Sequence, residues 1–189
     1  MPDNLPPVSF LNECFAYDPE TGILRWRRRP LDHFTSEAVW KSWNGRWAGT
    51  VVGHPNPRDG DLRFEMLYEA RCVRTGIHRA IFKMLHGWVP EVIDHIDHDP
   101  TNNRPGNLRP ATTQQNRANS RSARDKGSSL PKGVFLEKGR YITARIGLNG
   151  KSRYLGTFST PEVAHQAYLA AAAAAHGEYA CAGWRGVFA

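Results

Sequence analysis

Apolar residues change period several times along the first half of the chain, and each change marks an expected element boundary. Phe10, Leu11, Cys14 and Phe15 recur at helical spacing, so a short helix is expected over residues 8–17. Asp18-Pro19-Glu20-Thr21-Gly22 carries turn chemistry, and Ile23-Leu24-Arg25-Trp26-Arg27 reads as a strand leaving it. Residues 50–53 and 62–68 read as short strands around a loop rich in Gly, Pro, Asn and Asp, with residues 71–74 as a hairpin partner. Ile77, Ile81, Phe82 and Leu85 fall at i, i+4, i+5 and i+8, one face of a helix that Gly87 ends. Residues 92–96 read as a short strand, a polar loop follows over 97–106, and Leu108-Arg109 is a brief return strand. Pro110-Ala111-Thr112-Thr113 then opens a helix, with Thr112 as its N-cap.

After Gly133 the apolar period becomes two. Residues 134–136, 141–148 and 152–158 read as three strands, separated by Lys138-Gly139 and by Asn149-Gly150, a strong hairpin signal. Ile142, Ala144 and Ile146 share one face of the second strand; Tyr141, Thr143 and Arg145 share the other. A helix follows, with Thr160 as N-cap, Pro161 at its first position, Glu162 in its first turn and Gly177 as its stop. Its alanine run lets the backbone approach a sheet closely and leaves the opposite sheet face, with Arg145 and Tyr154, for a ligand. The expected fold class is α+β. Residues 1–120 form a first domain, 121–132 a basic linker and 133–189 a three-stranded antiparallel sheet on one helix.

Charge sharpens the choice of partner. The formal net charge is +7, which favours a polyanion. No apolar run nears the ~20 residues of a membrane span, so nucleic acid is expected rather than a membrane. Between Arg104 and Lys132 seven basic residues (Arg104, Arg109, Arg117, Arg121, Arg124, Lys126 and Lys132) face one acid, Asp125. Phosphate contact is the expected role of this run. Trp40, Trp43 and Trp47 read as a small aromatic core, ahead of a base-stacking platform. Cys14, Cys72 and Cys181 are odd in number and widely spaced, which fits a reducing cytosol rather than a disulfide framework or a zinc site. The N-terminal Met1-Pro2-Asp3-Asn4 shows no secretory pattern, which agrees with a cytosolic location.

Candidate chemistry gathers at Asp94-His95, with Asn107 12 residues after His95 and Asn116 9 beyond that. A histidine near its ordinary pKa of ~6.5 can deprotonate water. A carboxylate and an amide oxygen are hard ligands suited to Mg²⁺ or Mn²⁺. Asp94 and His95 would face opposite ways on a regular strand, so some local distortion is expected. Each residue alone fits a surface loop equally well. An EF-hand loop from Asp97 fails, because Leu108 stands where the bidentate Glu belongs. His78 and His86 read as structural or surface groups, and Asp97, His98, Asp99 and Asn119 rank behind the four principal residues.

Asp94-His95-Ile96-Asp97, Asn102-Asn103-Arg104, Asn107-Leu108-Arg109 and Gln115-Asn116-Arg117-Ala118-Asn119 resemble an HNH endonuclease of the ββα-metal kind common in phages and mobile introns. Tyr17 to Gly22, Leu24-Arg25-Trp26 and the helix from Ile77 resemble the N-terminal parts of such phage proteins. The resemblance implies His95 as general base, Asn107 orienting it, and Asp94 and Asn116 as ligands of one divalent ion, Mg²⁺ or Mn²⁺. Many relatives carry Gly where this chain has His98. Residues 133–182 resemble the ethylene-response-factor (APETALA-type) DNA-binding domain. The carriers are Gly133-Val134, Ala144-Arg145-Ile146, Tyr154-Leu155-Gly156-Thr157-Phe158, Ala167-Tyr168 and His176 to Ala180. In that family the sheet enters the DNA major groove, which implies Arg145, Ser152 and Tyr154 as DNA-facing groups. Ile142 stands where relatives often carry Trp. The expected function is a metal-dependent endonuclease acting on double-stranded DNA, targeted by its C-terminal domain. Its main rival is a non-catalytic DNA-binding regulator with a degenerate HNH scaffold. An RNA-binding protein using the Trp-rich region is a third possibility.

Overall fold

The computed structural model describes residues 4–119 and 130–181. The chain divides into two compact units, residues 1–110 and 111–189. Residues 121–129 of the expected basic linker, with Arg121, Arg124 and Lys126, lie outside the described residues. The division falls ahead of the helix that Thr112 caps, because that helix is bonded to the later residues. Lys132 Nζ donates to the Ala118 carbonyl at 2.8 Å, and Gln114 Nε2 donates to Asn149 Oδ1 at 3.1 Å.

In the first unit, helix α1 (Val8–Cys14) passes directly into strand β1 (Phe15–Asp18). The helix expected to residue 17 therefore stops early. Phe15 pairs with Trp26 across a hairpin and packs on the Trp26 and Phe64 rings at centroid distances of 4.7 and 5.2 Å. Burying this large ring outweighs continuation of the helix. Strand β2 (Ile23–Trp26) closes the hairpin, while the strand expected over 50–53 is reduced to one bridge between Val51 and Arg25.

Helix α2 (Glu37–Trp47) was not expected. Its signals are the i, i+3, i+7 spacing of Trp40, Trp43 and Trp47, and Ser36, whose hydroxyl caps Val39 N. Strands β3 (His54–Pro55), β4 (Leu62–Tyr68) and β5 (Arg71–Gly76) form an antiparallel sheet in that order.

Helix α3 (Ile77–His86) ends at Gly87, whose φ of +81° supplies the expected left-handed stop. Its buried stripe is Ile77, Ala80 and Ile81, and Leu85 is exposed instead of joining it. Lys83 is buried in its place, with Nζ donating to the Leu5 carbonyl at 3.0 Å. The long stem covers apolar surface while the ammonium finds an acceptor. Leu11, Phe15, Leu24, Ile77 and Ile81 are the fully buried centre of this unit, each contributing roughly 1.5–3 kcal/mol. On the same core lie strands β6 (Val92–His95) and β7 (Leu108–Ala111), through Ile93 and Leu108. β7 runs two residues beyond the expected return strand, so Pro110 and Ala111 belong to it rather than to the following helix.

In the second unit, helix α4 (Thr113–Asn119) begins with a reciprocal cap. Thr112 Oγ1 accepts from Gln115 N at 3.1 Å, and Gln115 Oε1 accepts from Thr112 N at 2.8 Å. Strands β8 (Val134–Glu137), β9 (Tyr141–Leu148) and β10 (Lys151–Phe158) pair antiparallel with β9 in the centre. Helix α5 (Pro161–His176) buries Ala164, Tyr168 and Ala172, an i, i+4, i+8 stripe. These share apolar clusters with Val134, Ala144 and Ile146. Register sets Tyr154 opposite Arg145 and Ser152 opposite Gly147, so the three expected DNA-facing residues lie on one face and are exposed.

Candidate active site

The site grows from the end of β6. Asp94 is buried, and Arg109 on β7 clasps its Oδ2 with Nε at 2.9 Å and Nη2 at 2.8 Å. Both bonds converge on the one oxygen and anchor it with charge-assisted contacts. Arg109 is itself buried, so the cation expected at a DNA phosphate is turned inward. Next along the chain, His95 is partly buried, and its Nε2 lies 3.2 Å from Asn103 Oδ1. A neutral imidazole donating from Nε2 carries its lone pair on Nδ1.

The loop after His95 is tied by side chains acting as backbone substitutes. Asn107 Oδ1 accepts from Asp97 N at 3.0 Å, while its Nδ2 donates to Asp97 Oδ1 at 2.9 Å and to the Asn102 carbonyl at 2.7 Å. Asn107 O also accepts from Ile96 N at 3.0 Å. These bonds place Asn107 as the clamp of the loop that carries His95. Asp97, ranked second from sequence, is the hub. Burial alone would raise its pKa, but hydrogen bonds from Asp99 N, Asn102 and Asn107 outweigh this and hold it below the ordinary carboxylate range. Asp99 is held low chiefly by the Thr101 hydroxyl and amide. His98 takes a left-handed φ of +64° in this loop.

Two partners of His95 escape any short-range pattern. Asn103, 1% exposed, meets its Nε2. His78, at the start of α3, packs edge-on against its ring at a centroid distance of 5.3 Å. His78 is partly exposed, but its Nδ1 is buried and has no hydrogen-bond partner among the described residues. Desolvation, reinforced by the nearby charges of His95, Arg79 and Arg63, pushes its pKa down to about 3, so it is neutral at physiological pH. Asp61 also feels the His95 charge, and its own pKa is raised, first by burial and then by Asp59.

The N-terminal hairpin braces the same loop. Tyr17 Oη donates to the Asn103 carbonyl at 2.8 Å, and Arg104 Nε donates to the Glu20 carbonyl at 2.6 Å. Gly22 has φ +75°, and a Cβ there would stand 2.8 Å from Arg104 N and 2.9 Å from the Asn103 carbonyl carbon. Gly22→Ala is therefore expected to destabilise the chain by about 1–3 kcal/mol, because backbone must shift and the φ is unfavourable for any L side chain. Thermal unfolding checks this, and an unchanged midpoint would refute the brace.

The remaining expected residues divide by unit. Arg104 is exposed beside the loop. Asn116 and Arg117 are exposed on α4, in the second unit. Arg145 is ion-paired with Glu137 on the neighbouring strands. Tyr154 Oη shares a hydrogen bond of 2.6 Å with Thr157 Oγ1. Among the described residues, no group of three or more His, Cys, Asp or Glu side chains could hold a metal alone. A carboxylate such as that of Asp94 is a hard oxygen donor of the kind that Mg²⁺ or Mn²⁺ takes, with water and phosphate filling the shell.

Residues 75–118 match the HNH endonuclease family model. An uncharacterised HNH endonuclease, L560, of Acanthamoeba polyphaga mimivirus is 36% identical over 107 residues, which cover 55% of this chain and 54% of that protein. The chain thus spans about half the length of the curated relative it matches. A solved structure of DNA binding and cleavage by the HNH homing endonuclease I-HmuI overlaps 56% of this chain and 50% of its own, at 23% identity and a TM-score of 0.38. Both named relatives are HNH endonucleases.

Proposed function

We propose that the chain is a metal-dependent DNA endonuclease with a ββα-metal HNH centre, targeted to duplex DNA by its C-terminal unit. One observation carries this reading. A histidine with its Nε2 held by Asn103 sits beside a buried, guanidinium-clasped carboxylate within the family-matched segment. In the cell it works in a reducing cytosol.

His95 Nδ1 takes a proton from water as the water oxygen bonds to phosphorus. The bond from phosphorus to the 3′ oxygen breaks, and that oxygen takes up a proton from solvent. Asn103 and His78 hold the imidazole for this transfer, and Asn107 clamps the loop on which it rides. Asp94 and, by the family resemblance, Asn116 would hold one Mg²⁺ or Mn²⁺. When bound, the ion relieves charge on the phosphate and the leaving oxygen. Arg109 anchors the Asp94 carboxylate through Oδ2. Arg104 and Arg117, with Arg121, Arg124 and Lys126, contact phosphates.

The products are 5′-phosphate and 3′-hydroxyl ends. Nicks made by the enzyme should therefore be resealed by a DNA ligase without end repair; 3′-phosphate ends would refute the mechanism. Arg145, Ser152 and Tyr154 present one exposed sheet face to DNA. Because a good base contact contributes ~1–3 kcal/mol of discrimination, replacing Arg145 and Tyr154 by Ala should weaken duplex binding about tenfold or more. The single-turnover cleavage rate at saturating DNA should stay unchanged. Equal loss of rate and affinity would contradict this division of labour.

A further inference from the structure

The first unit contains a cavity of about 600 Å³, none of whose lining residues belongs to the Asp94–His95 group. Its walls include Trp26, Phe34, Trp43, Trp47 and Phe64, with Arg29 among them. That volume is in the range of pockets that take small planar ligands. We propose that this cavity is a binding site for an unpaired purine base, with guanine preferred.

Arg29 carries the argument. It is 5% exposed, and its backbone is clamped on both sides. Its N–H donates to Asn44 Oδ1 at 2.8 Å, while its carbonyl accepts from Trp40 Nε1 at 2.8 Å and from Asn44 Nδ2 at 3.1 Å. The guanidinium lies 4.9 Å from the Phe34 ring centre and 5.1 Å from that of Trp43. Its Nε donates to His33 Nδ1 at 3.2 Å, and His33 Nε2 meets the Glu13 carboxylate at 2.8 Å. The carboxylate therefore reaches Arg29 only through an imidazole.

Among the described residues, the Arg29 guanidinium has no carboxylate of its own: beside His33, its side-chain hydrogen bond goes to Cys14. The Cys14 thiol nearby is pushed up to about 11 by burial, so it is neutral at physiological pH. A buried guanidinium without a direct carboxylate is costly, and aromatic faces offset that cost only in part. A ligand offering two adjacent acceptors would complete it.

Guanine presents such a pair in O6 and N7, matched to the arginine fork, whereas adenine presents one acceptor beside a donor. The indole walls suit a flat base. At the mouth Trp47 is 39% exposed, and the Arg46 guanidinium stacks 4.8 Å from its ring, ready for the attached phosphate. Glu65 also lines the cavity, but its charge is engaged by Arg74 at 3.0 Å. The choice of a nucleobase over other planar acceptors rests on the reading of the chain as a DNA enzyme. The test needs no cleavage, so the two can fail separately.

Tryptophan fluorescence of the full chain, corrected for absorption, is titrated with 5′-GMP, 5′-AMP, inorganic phosphate and benzoate. Saturable quenching is expected with GMP at an affinity at least about tenfold above AMP, and none with phosphate. Arg29→Lys keeps the charge but removes the fork, so it should abolish the preference for GMP. Trp47→Ala, at the exposed mouth, should weaken GMP several-fold and serves where Arg29→Lys fails to fold. Equal affinity for GMP and AMP, tighter binding of benzoate, quenching by phosphate alone, or no saturable response to any probe would each overturn the proposal.

Discussion

His95→Ala should lower the single-turnover rate of DNA cleavage by about 10²–10⁴-fold, the usual contribution of a positioned general base, while duplex affinity changes by less than about twofold. The asymmetry follows from where His95 sits. It is partly buried, held at Nε2 by Asn103 and packed edge-on by His78, rather than displayed on the basic surface. Removing the imidazole deletes the proton acceptor and leaves Arg104, Arg117 and the C-terminal sheet face in place. Parallel cleavage and gel-shift titrations check this. A variant that loses binding and cleavage together would show His95 to be a fold or DNA-contact residue.

Acid should unfold the first unit early, because of His78. Free histidine binds a proton below about pH 6.5, but burial keeps His78 neutral until about pH 3. Between those values the unfolded chain binds a proton that the folded chain refuses. Stability present above pH 6.5 is therefore lost progressively as the pH falls toward 3. At pH 5 the loss is roughly 2 kcal/mol relative to pH 7, at about 1.4 kcal/mol per pH unit below 6.5. The carboxylates held low, Asp18, Asp97 and Asp99, titrate below their ordinary range and act only in stronger acid.

Denaturant midpoints at pH 7 and pH 5, for the native chain and for His78→Phe, separate these effects. The variant should lose most of the difference between the two pH values. Equal slopes in the two proteins would contradict the burial of a neutral His78.

What could be read from sequence was local. The reciprocal cap of Thr112 and Gln115, the Gly87 stop and the turns at Lys138-Gly139 and Asn149-Gly150 arise from neighbouring residues, so their patterns announce them. Helix α2 is weakly announced, because its three tryptophans mark an aromatic cluster as readily as one helical face. Leu85 and Lys83 exchange the places that hydrophobicity assigns them, since an ammonium with a carbonyl acceptor can be buried along its stem.

At the candidate site the sequence singles out Asp94 and His95 but not the residues that surround them. Asn103 is set by Tyr17, 86 residues away, and Arg104 by Glu20, 84 residues away. His78 arrives from another helix start. No spacing rule encodes such contacts. Arg109, read as one of seven cations in a basic run, proved instead to be the buried partner of Asp94.

The most direct measurement is conversion of supercoiled plasmid, carrying candidate target DNA, by the purified chain in Mg²⁺, in Mn²⁺ and in chelator. Nicked or linear product is predicted with at least one of the two ions and none with chelator. Tight DNA binding with no cleavage under either ion, or cleavage that persists in chelator, would contradict a metal-dependent HNH endonuclease.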